Sequence, residues 1–279
     1  INGKYYSIKS SPLYNNNEFV GIIEVYRDIT SESKMKVDLF NANRKMLEDI
    51  RFVRKIQTNI LPKNKRYGDI KLEGRYIPSN DVSGDLFDII KVDNDKYAFY
   101  IADVMGHGVK SSIMTMFVKL SIEAIFERHI DYSPGQVLKK LREEFVKLDM
   151  NSSQYFTVWI GIFDCKNNTL TFSNAGHNCP PLHLIHNKNY VEKLVVSGRM
   201  ISNIIEQNIY QEVTINLNPK DRVLFYTDGV TESKDIDKNE YSVERLMKIL
   251  KKNKKLDFIL SDLENFTWGE QDDDISLAL

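Results

Sequence analysis

Cysteine is scarce in this chain, which has only Cys165 and Cys179 among its 279 residues. Two cysteines at this spacing fit no metal-binding motif and are too few for a disulfide scaffold. We therefore expect a reducing environment, the cytoplasm. Long apolar runs are also missing, since none approaches the roughly 18 residues of a membrane span. There is no signal peptide, and the chain begins at Ile1 without methionine, so we interpret it as a piece of a longer protein.

The chain lacks an excess of either charge. Lysine and arginine number 38, aspartate and glutamate 39, and the formal net charge is -1. Such a balance gives no general attraction to nucleic acid or to an anionic membrane, so we expect neither as a partner of this segment. Hydrophobic residues at 42% and charged residues at 28% are ordinary for a globular protein. The length allows one substantial domain with an appendage.

Residues 1–30 have the pattern of two strands around a polar turn at Asn15-Asn16-Asn17. An isolated hairpin is marginally stable in water, so we expect this segment to be the edge of a truncated domain. Pro12-Leu13, the run from Val20 to Ile23, and the run from Arg27 to Thr30 resemble the last two strands of a PAS sensor domain. The resemblance covers about thirty residues.

Residues 31–62 are predicted to form a helix that Pro62 ends, with Ser31 or Ser33 as its cap. Apolar side chains recur at alternating steps of four and three, interrupted by Asp49, at positions Met35, Leu39, Ala42, Met46, Val53, Ile56 and Ile60. A stripe this narrow favours a coiled coil. Two interpretations stay open: a single helix packed on its own domain, or a dimeric signalling helix that makes the protein a homodimer.

Residues 63–279 mix strands and helices. Strand patterns are found at 71–78, 85–92, 96–103, 155–164, 169–174, 180–185, 190–196, 211–217, 221–227 and 274–279. Helical patterns are found at 109–128, 134–148, 241–252 and 256–266, and Ser133-Pro134 is a typical helix start. Hairpin turns between strands, with the helices clustered apart, predict antiparallel sheets and an α+β fold.

Several aspartates stand where apolar, strand-like runs begin or end. Asp85, Asp103, Asp228 and Asp273 are separated by as many as 188 residues (273 − 85) along the chain. A buried carboxylate is costly unless positive charge meets it. Several such strand ends converging would form a cage of hard oxygen ligands for Mg²⁺ or Mn²⁺. The pattern therefore points to metal-assisted hydrolysis.

These acidic segments, taken in order, resemble the metal-dependent protein phosphatases of the 2C type, in the bacterial branch of the stage II sporulation phosphatase E and the sigma-factor regulator U. The resemblance rests on Ile56 to Pro62, Ser83 to Asp88, Ala102 to Gly108, Asn174 to Asn178, Thr227 to Glu232, and Asp273 to Ser276. It implies two stacked antiparallel sheets flanked by helices. It also implies hydrolysis of phosphoserine or phosphothreonine by a water that two Mn²⁺ or Mg²⁺ ions activate. The implied substrate is a phosphorylated anti-sigma-factor antagonist.

The resemblance also assigns metal ligands. Asp103 matches the carboxylate that bridges both ions, and Val104 would supply a backbone carbonyl to the second ion. Asp228 and Asp273 match the other ligands of the first ion, while Asp85 lies on the side of the second. Asp103 and Asp228 would thus act in catalysis through metal-bound water.

Other positions carry weaker expectations. Asp88 and Asp274 are expected to orient metal-bound waters. The leaving oxygen needs a proton, for which His107 is the candidate acid, although eukaryotic relatives place their histidine where Met105 stands here, and a metal-bound water could donate instead. His177 is expected to order a loop. Ser83 replaces the glycine usual in the family, at little cost because Gly84 follows.

Two rival functions stay open. One is a catalytically inactive, phosphatase-like module that binds a phosphoprotein. The other is a different two-metal hydrolase such as a phosphodiesterase, a class that typically adds histidine ligands. The predicted domains are the PAS fragment at 1–30, the helical linker at 31–62 and the phosphatase domain at 63–279.

Overall fold

The computed structural model describes residues 3–106, 108–150, 153–269 and 271–279. It divides into two compact units, Ile1–Phe52 and Val53–Leu279. The division falls inside one long helix, whereas the sequence places a linker at 31–62 as a segment of its own.

The first unit contains an antiparallel hairpin and most of the long helix. Strands β1 (Tyr6–Asn15) and β2 (Glu18–Asp28) pair along their length, and α1 spans Thr30–Ile60. Asn16 and Asn17 form the turn at φ 45° and 67°, which asparagine tolerates better than most residues. The helix begins before Ser31 and Ser33, and the Asp28 carboxylate accepts a hydrogen bond from the Thr30 amide (3.0 Å). Asp28 thus takes the capping role predicted for the serines.

The second unit contains the remaining elements. Its strands are β3 (Lys65–Tyr67), β4 (Ile70–Leu72), β5 (Gly74–Ile77), β6 (Asp85–Lys91), β7 (Lys96–Val104), β8 (Tyr155–Asp164), β9 (Thr169–Ala175), β10 (Leu182–Ile185), β11 (Tyr190–Lys193), β12 (Ile201–Ser202), β13 (Glu212–Asn216), β14 (Arg222–Tyr226) and β15 (Ile275–Ala278). Its helices are α2 (Val109–Arg128), α3 (Pro134–Val146), α4 (Asp228–Thr231), α5 (Val243–Lys252) and α6 (Leu256–Thr267). None of the helices described here is long and apolar enough to cross a bilayer.

Two antiparallel sheets form the centre of this unit. One has the order β13-β9-β8-β7-β6, with β12 paired to β8, and the other has the order β11-β10-β14-β15-β5. The α+β sandwich predicted from the sequence is confirmed: α2 and α3 cover the first sheet, and α5 and α6 cover the second.

Side-chain alternation along the strands separates three apolar layers. On β7, Ala98, Tyr100 and Ala102 face α2 and α3, whereas Phe99 and Ile101 face the other sheet. Phe99 stacks on Phe225 of β14 with ring centroids 4.0 Å apart. The aromatic layer fixes the two sheets face to face, and the candidate site lies where this layer ends.

Candidate metal-binding active site

Asp85 and Asp103 lie opposite each other where β6 begins and β7 ends. Both have the parity of the residues that face the second sheet, such as Phe87 and Ile101. The two carboxylates therefore project from the inner face of the first sheet, and Asp85 is only 3% exposed. Their pairing brings together two of the predicted ligands.

The second sheet contributes the segments after β14 and before β15. Thr227 follows β14, and its hydroxyl donates a 2.7 Å hydrogen bond to Oδ2 of Asp85. The same hydroxyl accepts a hydrogen bond from the Ser276 amide of β15 (3.1 Å). Asp228 opens α4 directly after Thr227, and Asp273 stands two residues before β15. One hydroxyl thus joins the two sheets at the acidic end of the sandwich.

Burial and neighbouring charges raise the pKa of three carboxylic acids at this end of the sandwich. Burial, and then the charge of Asp103, raises the pKa of Asp85 well above its ordinary value, although the hydrogen bond from the Thr227 hydroxyl opposes the shift. Burial followed by the charges of Asp228, Asp273 and Asp274 raises the pKa of Asp103 to about 7. Burial first, and Asp228 among the neighbouring charges, raises the pKa of Asp273. Asp85, Asp103 and Asp273 thus resist ionisation because they are buried and lie near other negative charges.

This set of donors suits Mg²⁺ or Mn²⁺. The donors are carboxylate oxygens, the hard ligands these ions prefer, and a bound cation would relieve the repulsion among them. Within the described ranges, no three side chains of His, Cys, Asp or Glu form a preassembled metal-binding cluster. The residues fit a divalent cation by chemistry and by charge, and the ligand set assigned from the sequence stays a prediction.

Asp274 has protein partners that the sequence did not predict. One of its oxygens accepts hydrogen bonds from the Ser79 amide (2.7 Å) and hydroxyl (3.0 Å), and the other accepts from the Gly84 amide (3.1 Å). These contacts hold the loop before β6 against β15. A carboxylate has about four acceptor sites, so the expected role of Asp274 in orienting metal-bound water stays a prediction.

Asp88 differs from the prediction. It lies three residues after Asp85, and since side chains alternate along a strand it points to the opposite face. There it forms an ion pair with Lys119 of α2 and accepts a hydrogen bond from the Ile89 amide (2.8 Å). Asp88 therefore fastens a helix to the sheet and does not orient water at the site.

The loop between β7 and α2 turns at two glycines, as expected. Gly106 and Gly108 both have φ of 88°, and a Cβ atom at either would meet no atom within 4 Å. Glycine is needed at both positions for backbone conformation and not for space. His107, the candidate acid, lies outside the described residues.

His177 orders a loop, as the sequence suggested. Its amide donates to the side chain of Asn174 (2.9 Å), and Asn174 donates back to the His177 carbonyl (3.1 Å). The ring lies between the Thr157 hydroxyl (3.3 Å) and the Tyr226 carbonyl (3.2 Å). Burial lowers the pKa of His177 to about 4, so the ring is neutral at physiological pH.

Sequence reasoning missed two side chains at this site. Thr227 lies in the motif from Thr227 to Glu232, but only its neighbour Asp228 was assigned a role. Gln57 also belongs to a recognised motif, and its amide reaches the backbone of Ser83. Neither residue stands out in the sequence, because each has polar neighbours within its motif.

Solved structures share this architecture. The SiaA-PP2C domain of Pseudomonas aeruginosa superposes with a TM-score of 0.74 at 20% identity, covering 85% of this chain and 97% of that one. The PP2C phosphatase domain of SpoIIE from Bacillus subtilis, with a fragment of its regulatory domain, gives a TM-score of 0.65 at 18% identity and covers 98% and 70%. The fold is that of a PP2C-type phosphatase domain.

Sequence comparison gives the family. The family model described as Stage II sporulation protein E (SpoIIE) matches residues 93–279, and the chain belongs to this family. It is 29% identical over 198 residues to "Phosphoserine phosphatase RsbP" of Bacillus subtilis, covering 69% of this chain and 47% of that protein. It is 26% identical over 156 residues to "Phosphoserine phosphatase RsbU" of the same organism, covering 56% and 45%. The chain thus spans about half the length of these relatives.

Proposed function

We propose that this chain carries a Mn²⁺- or Mg²⁺-dependent protein serine/threonine phosphatase. Asp103 would be shared by two ions, Asp228 and Asp273 would complete one of them, and Asp85 with the Val104 carbonyl would serve the other. The observations that support this most directly are the pairing of Asp85 with Asp103 at one end of the β6–β7 ladder and the hydrogen bond to Asp85 from Thr227, the residue next to Asp228.

The metal ions, when bound, would supply positive charge for the phosphoryl oxygens and lower the pKa of a water to roughly 7. The residues of the chain position this chemistry. The Thr227 hydroxyl fixes one oxygen of Asp85, and the β6–β7 ladder sets Asp103 beside it. His107 remains the candidate donor of a proton to the leaving serine or threonine oxygen.

The substrate we propose is a phosphorylated anti-sigma-factor antagonist in the bacterial cytoplasm. The sequence resemblance suggests this partner, and two relatives that bear the name phosphoserine phosphatase support the bond that is cleaved. The balanced net charge of -1 agrees with a protein partner and not with nucleic acid.

For the first unit we propose the end of a PAS sensor domain followed by a dimer-forming helix. The β1–β2 hairpin exposes large apolar side chains throughout, among them Ile8, Phe19 and Ile22. Exposed apolar surface of this extent is typical of a segment that packs on something else. A signal would reach the phosphatase through α1.

The test is phosphate release from a phosphoserine protein in the presence of Mn²⁺, with the wild type compared with Asp228→Asn. We expect a loss of at least about 100-fold for Asp228→Asn, because one anionic metal ligand becomes a neutral amide. The matched control is Asp237→Asn, which makes the same change at an exposed position nearby and should retain activity.

Equal rates for the wild type and Asp228→Asn would refute the metal-ligand assignment. An inactive wild type that binds the phosphoprotein would support the inactive binding module. Faster hydrolysis of a cyclic dinucleotide than of the phosphoprotein would support a phosphodiesterase.

A further inference from the structure

Gln57 is the single buried side chain of α1 within the described part of the chain, with 1% of its surface exposed. It lies in the last turn of the helix and belongs to the second unit. A buried primary amide is costly unless its donors and acceptor are bonded, so its partners indicate why glutamine stands there.

The amide of Gln57 binds both backbone groups of one residue. Its nitrogen donates to the Ser83 carbonyl (2.7 Å), and its oxygen accepts from the Ser83 amide (3.2 Å). The nitrogen also approaches the Thr115 hydroxyl of α2 (3.4 Å), and the Ser112 hydroxyl donates to the same Ser83 carbonyl (3.2 Å). The Ser83 peptide groups are thereby held to both helices.

The turn at Ser83-Gly84 leads directly to the proposed ligands. The Ser83 hydroxyl accepts a hydrogen bond from the Asp85 amide (2.9 Å), and the Gly84 carbonyl accepts one from the Val104 amide (3.0 Å). A Cβ atom on Gly84 would come within 2.6 Å of the Val104 carbonyl oxygen. The turn is therefore packed against β7 with no space for a side chain, and a shift of Ser83 must move Asp85 or Val104.

The acidic residues at the start of β6 and the end of β7 indicate why the Ser83-Gly84 turn needs support. Asp85 lies opposite Asp103 in the β6–β7 ladder, so two acidic side chains stand side by side where the turn ends. Gln57 holds the turn from behind with a neutral amide that offers both a donor and an acceptor. A glutamate there could only accept when ionised and would add another negative charge.

We propose that Gln57 is a positioning residue that sets Asp85 and the Val104 carbonyl for the second metal ion. The proposal rests on the phosphatase function argued above. Gln57 touches neither the metal nor the substrate in this assignment, and acts through the Ser83-Gly84 turn.

The experiment compares the wild type with Gln57→Met, which keeps length and helical propensity but removes the amide. Mn²⁺ binding is measured directly by electron paramagnetic resonance, and the Mn²⁺ dependence of phosphate release is measured in parallel. We expect the Mn²⁺ dissociation constant to rise about 10-fold, the scale typical of groups that orient metal ligands. The KM for the phosphoprotein should stay unchanged at saturating Mn²⁺.

Two further variants test the interpretation of this result. Thr58→Ala, on the next residue of the same helix turn, is the control and should bind Mn²⁺ as the wild type does. Ser112→Ala removes the second donor to the Ser83 carbonyl and should raise the dissociation constant about 3-fold, a smaller effect for one neutral hydrogen bond. If Gln57→Met does not fold, Ser112→Ala decides the question, and unchanged Mn²⁺ binding then overturns the proposal.

The outcomes separate the two hypotheses. Unchanged Mn²⁺ binding by Gln57→Met, with only a lower unfolding temperature, makes Gln57 a purely structural residue and overturns the inference. Weaker Mn²⁺ binding by Gln57→Met, in a protein whose wild type releases no phosphate, supports the positioning role and refutes the phosphatase function.

Discussion

The surroundings of the Asp103 carboxyl group disfavour its ionised form. Its side chain is largely withdrawn from water, and the charges of Asp228, Asp273 and Asp274 act on it. The pKa in the folded protein, about 7, exceeds the ordinary aspartate value of 3.8. Between these two values the folded state binds more protons than the unfolded state, so ionisation of Asp103 makes the metal-free protein less stable as pH rises.

Asp103→Asn should therefore stabilise the metal-free protein while abolishing its activity. At pH 8 in EDTA we expect a gain of about 1–3 kcal/mol in the free energy of unfolding, which is within the limit set by a pKa shift of this size. At pH 4 the gain should vanish, because Asp103 is then protonated in the folded state. Urea denaturation at the two pH values measures both quantities.

The control is Asp237→Asn, which makes the same substitution at an exposed position. If Asp103→Asn is less stable than the wild type at pH 8, the Asp103 carboxylate makes favourable contacts that outweigh its repulsion by the neighbouring aspartates.

At the scale of residues, the sequence predicted the proximity of Asp85 and Asp103 better than it predicted the contacts of Asp88 and Asp274. Asp85 and Asp103 could be paired because each stands at the end of an apolar run. Asp88 was misjudged because its nearness in sequence to Asp85 hid the two-residue period of a strand. The hydrogen bonds of Asp274 to Ser79 and Gly84, almost two hundred residues away, could not be predicted because they have no local signal.

The contact between α2 and β6 depends on a buried ion pair. The Lys119 and Asp88 side chains are 13% and 7% exposed, and Lys119 also reaches Glu123 (2.9 Å). Burial raises the pKa of Asp88 even though Lys119 opposes the shift. Removing one partner of such a pair leaves an uncompensated charge, whereas removing both can be nearly neutral.

Lys119→Met should therefore lower the free energy of unfolding by about 2–4 kcal/mol at pH 7. The double variant Lys119→Met with Asp88→Asn should recover most of that loss. The loss in the single variant should also shrink as pH falls, because protonation of Asp88 removes its buried charge and leaves a neutral acid. Urea unfolding of the four proteins of the double-mutant cycle, at pH 5 and 7, provides the measurement.

Additive losses in that cycle would mean that the two side chains do not interact. The i,i+4 pair Lys140–Glu144 on α3 offers a comparison, since it is more exposed and should couple by only about 0.3–0.5 kcal/mol.

Longer elements could be predicted from sequence and short ones could not. The ends of α2 and β8 agree with their predicted limits, because each element is long enough to show its period. Strands β3 and β12 and helix α4 were missed, since two to four residues cannot show a period. The predicted strand at 71–78 is divided into β4 and β5 at Glu73, whose backbone pairs with Leu279 (2.9 and 2.8 Å).

At the scale of the whole molecule, α1 carries an unsatisfied apolar stripe. Met35, Leu39 and Met46 are 72%, 60% and 61% exposed, although their spacing is that of a coiled-coil seam. A second copy of α1 would bury this stripe.

Leu39→Lys combined with Met46→Lys should convert a dimer into a monomer. Light scattering after size-exclusion chromatography should give twice the 32.5 kDa chain mass for the wild type and 32.5 kDa for the variant. Asn41→Lys with Asn43→Lys adds the same charge off the seam and should remain dimeric. A monomeric wild type would favour the alternative of a single helix packed on its own domain.

Strand β15 lies between β14 and β5 and aligns Ile275 with Ile77, although almost two hundred residues separate them in sequence. A polypeptide emerging from the ribosome therefore holds Asp85 and Asp103 long before their partners have been synthesised. Closing so large a loop is entropically costly and slow, and it comes late in folding. A nascent chain would thus lack one side of the proposed metal site until β15 is inserted, so assembly of that site awaits the synthesis of this strand.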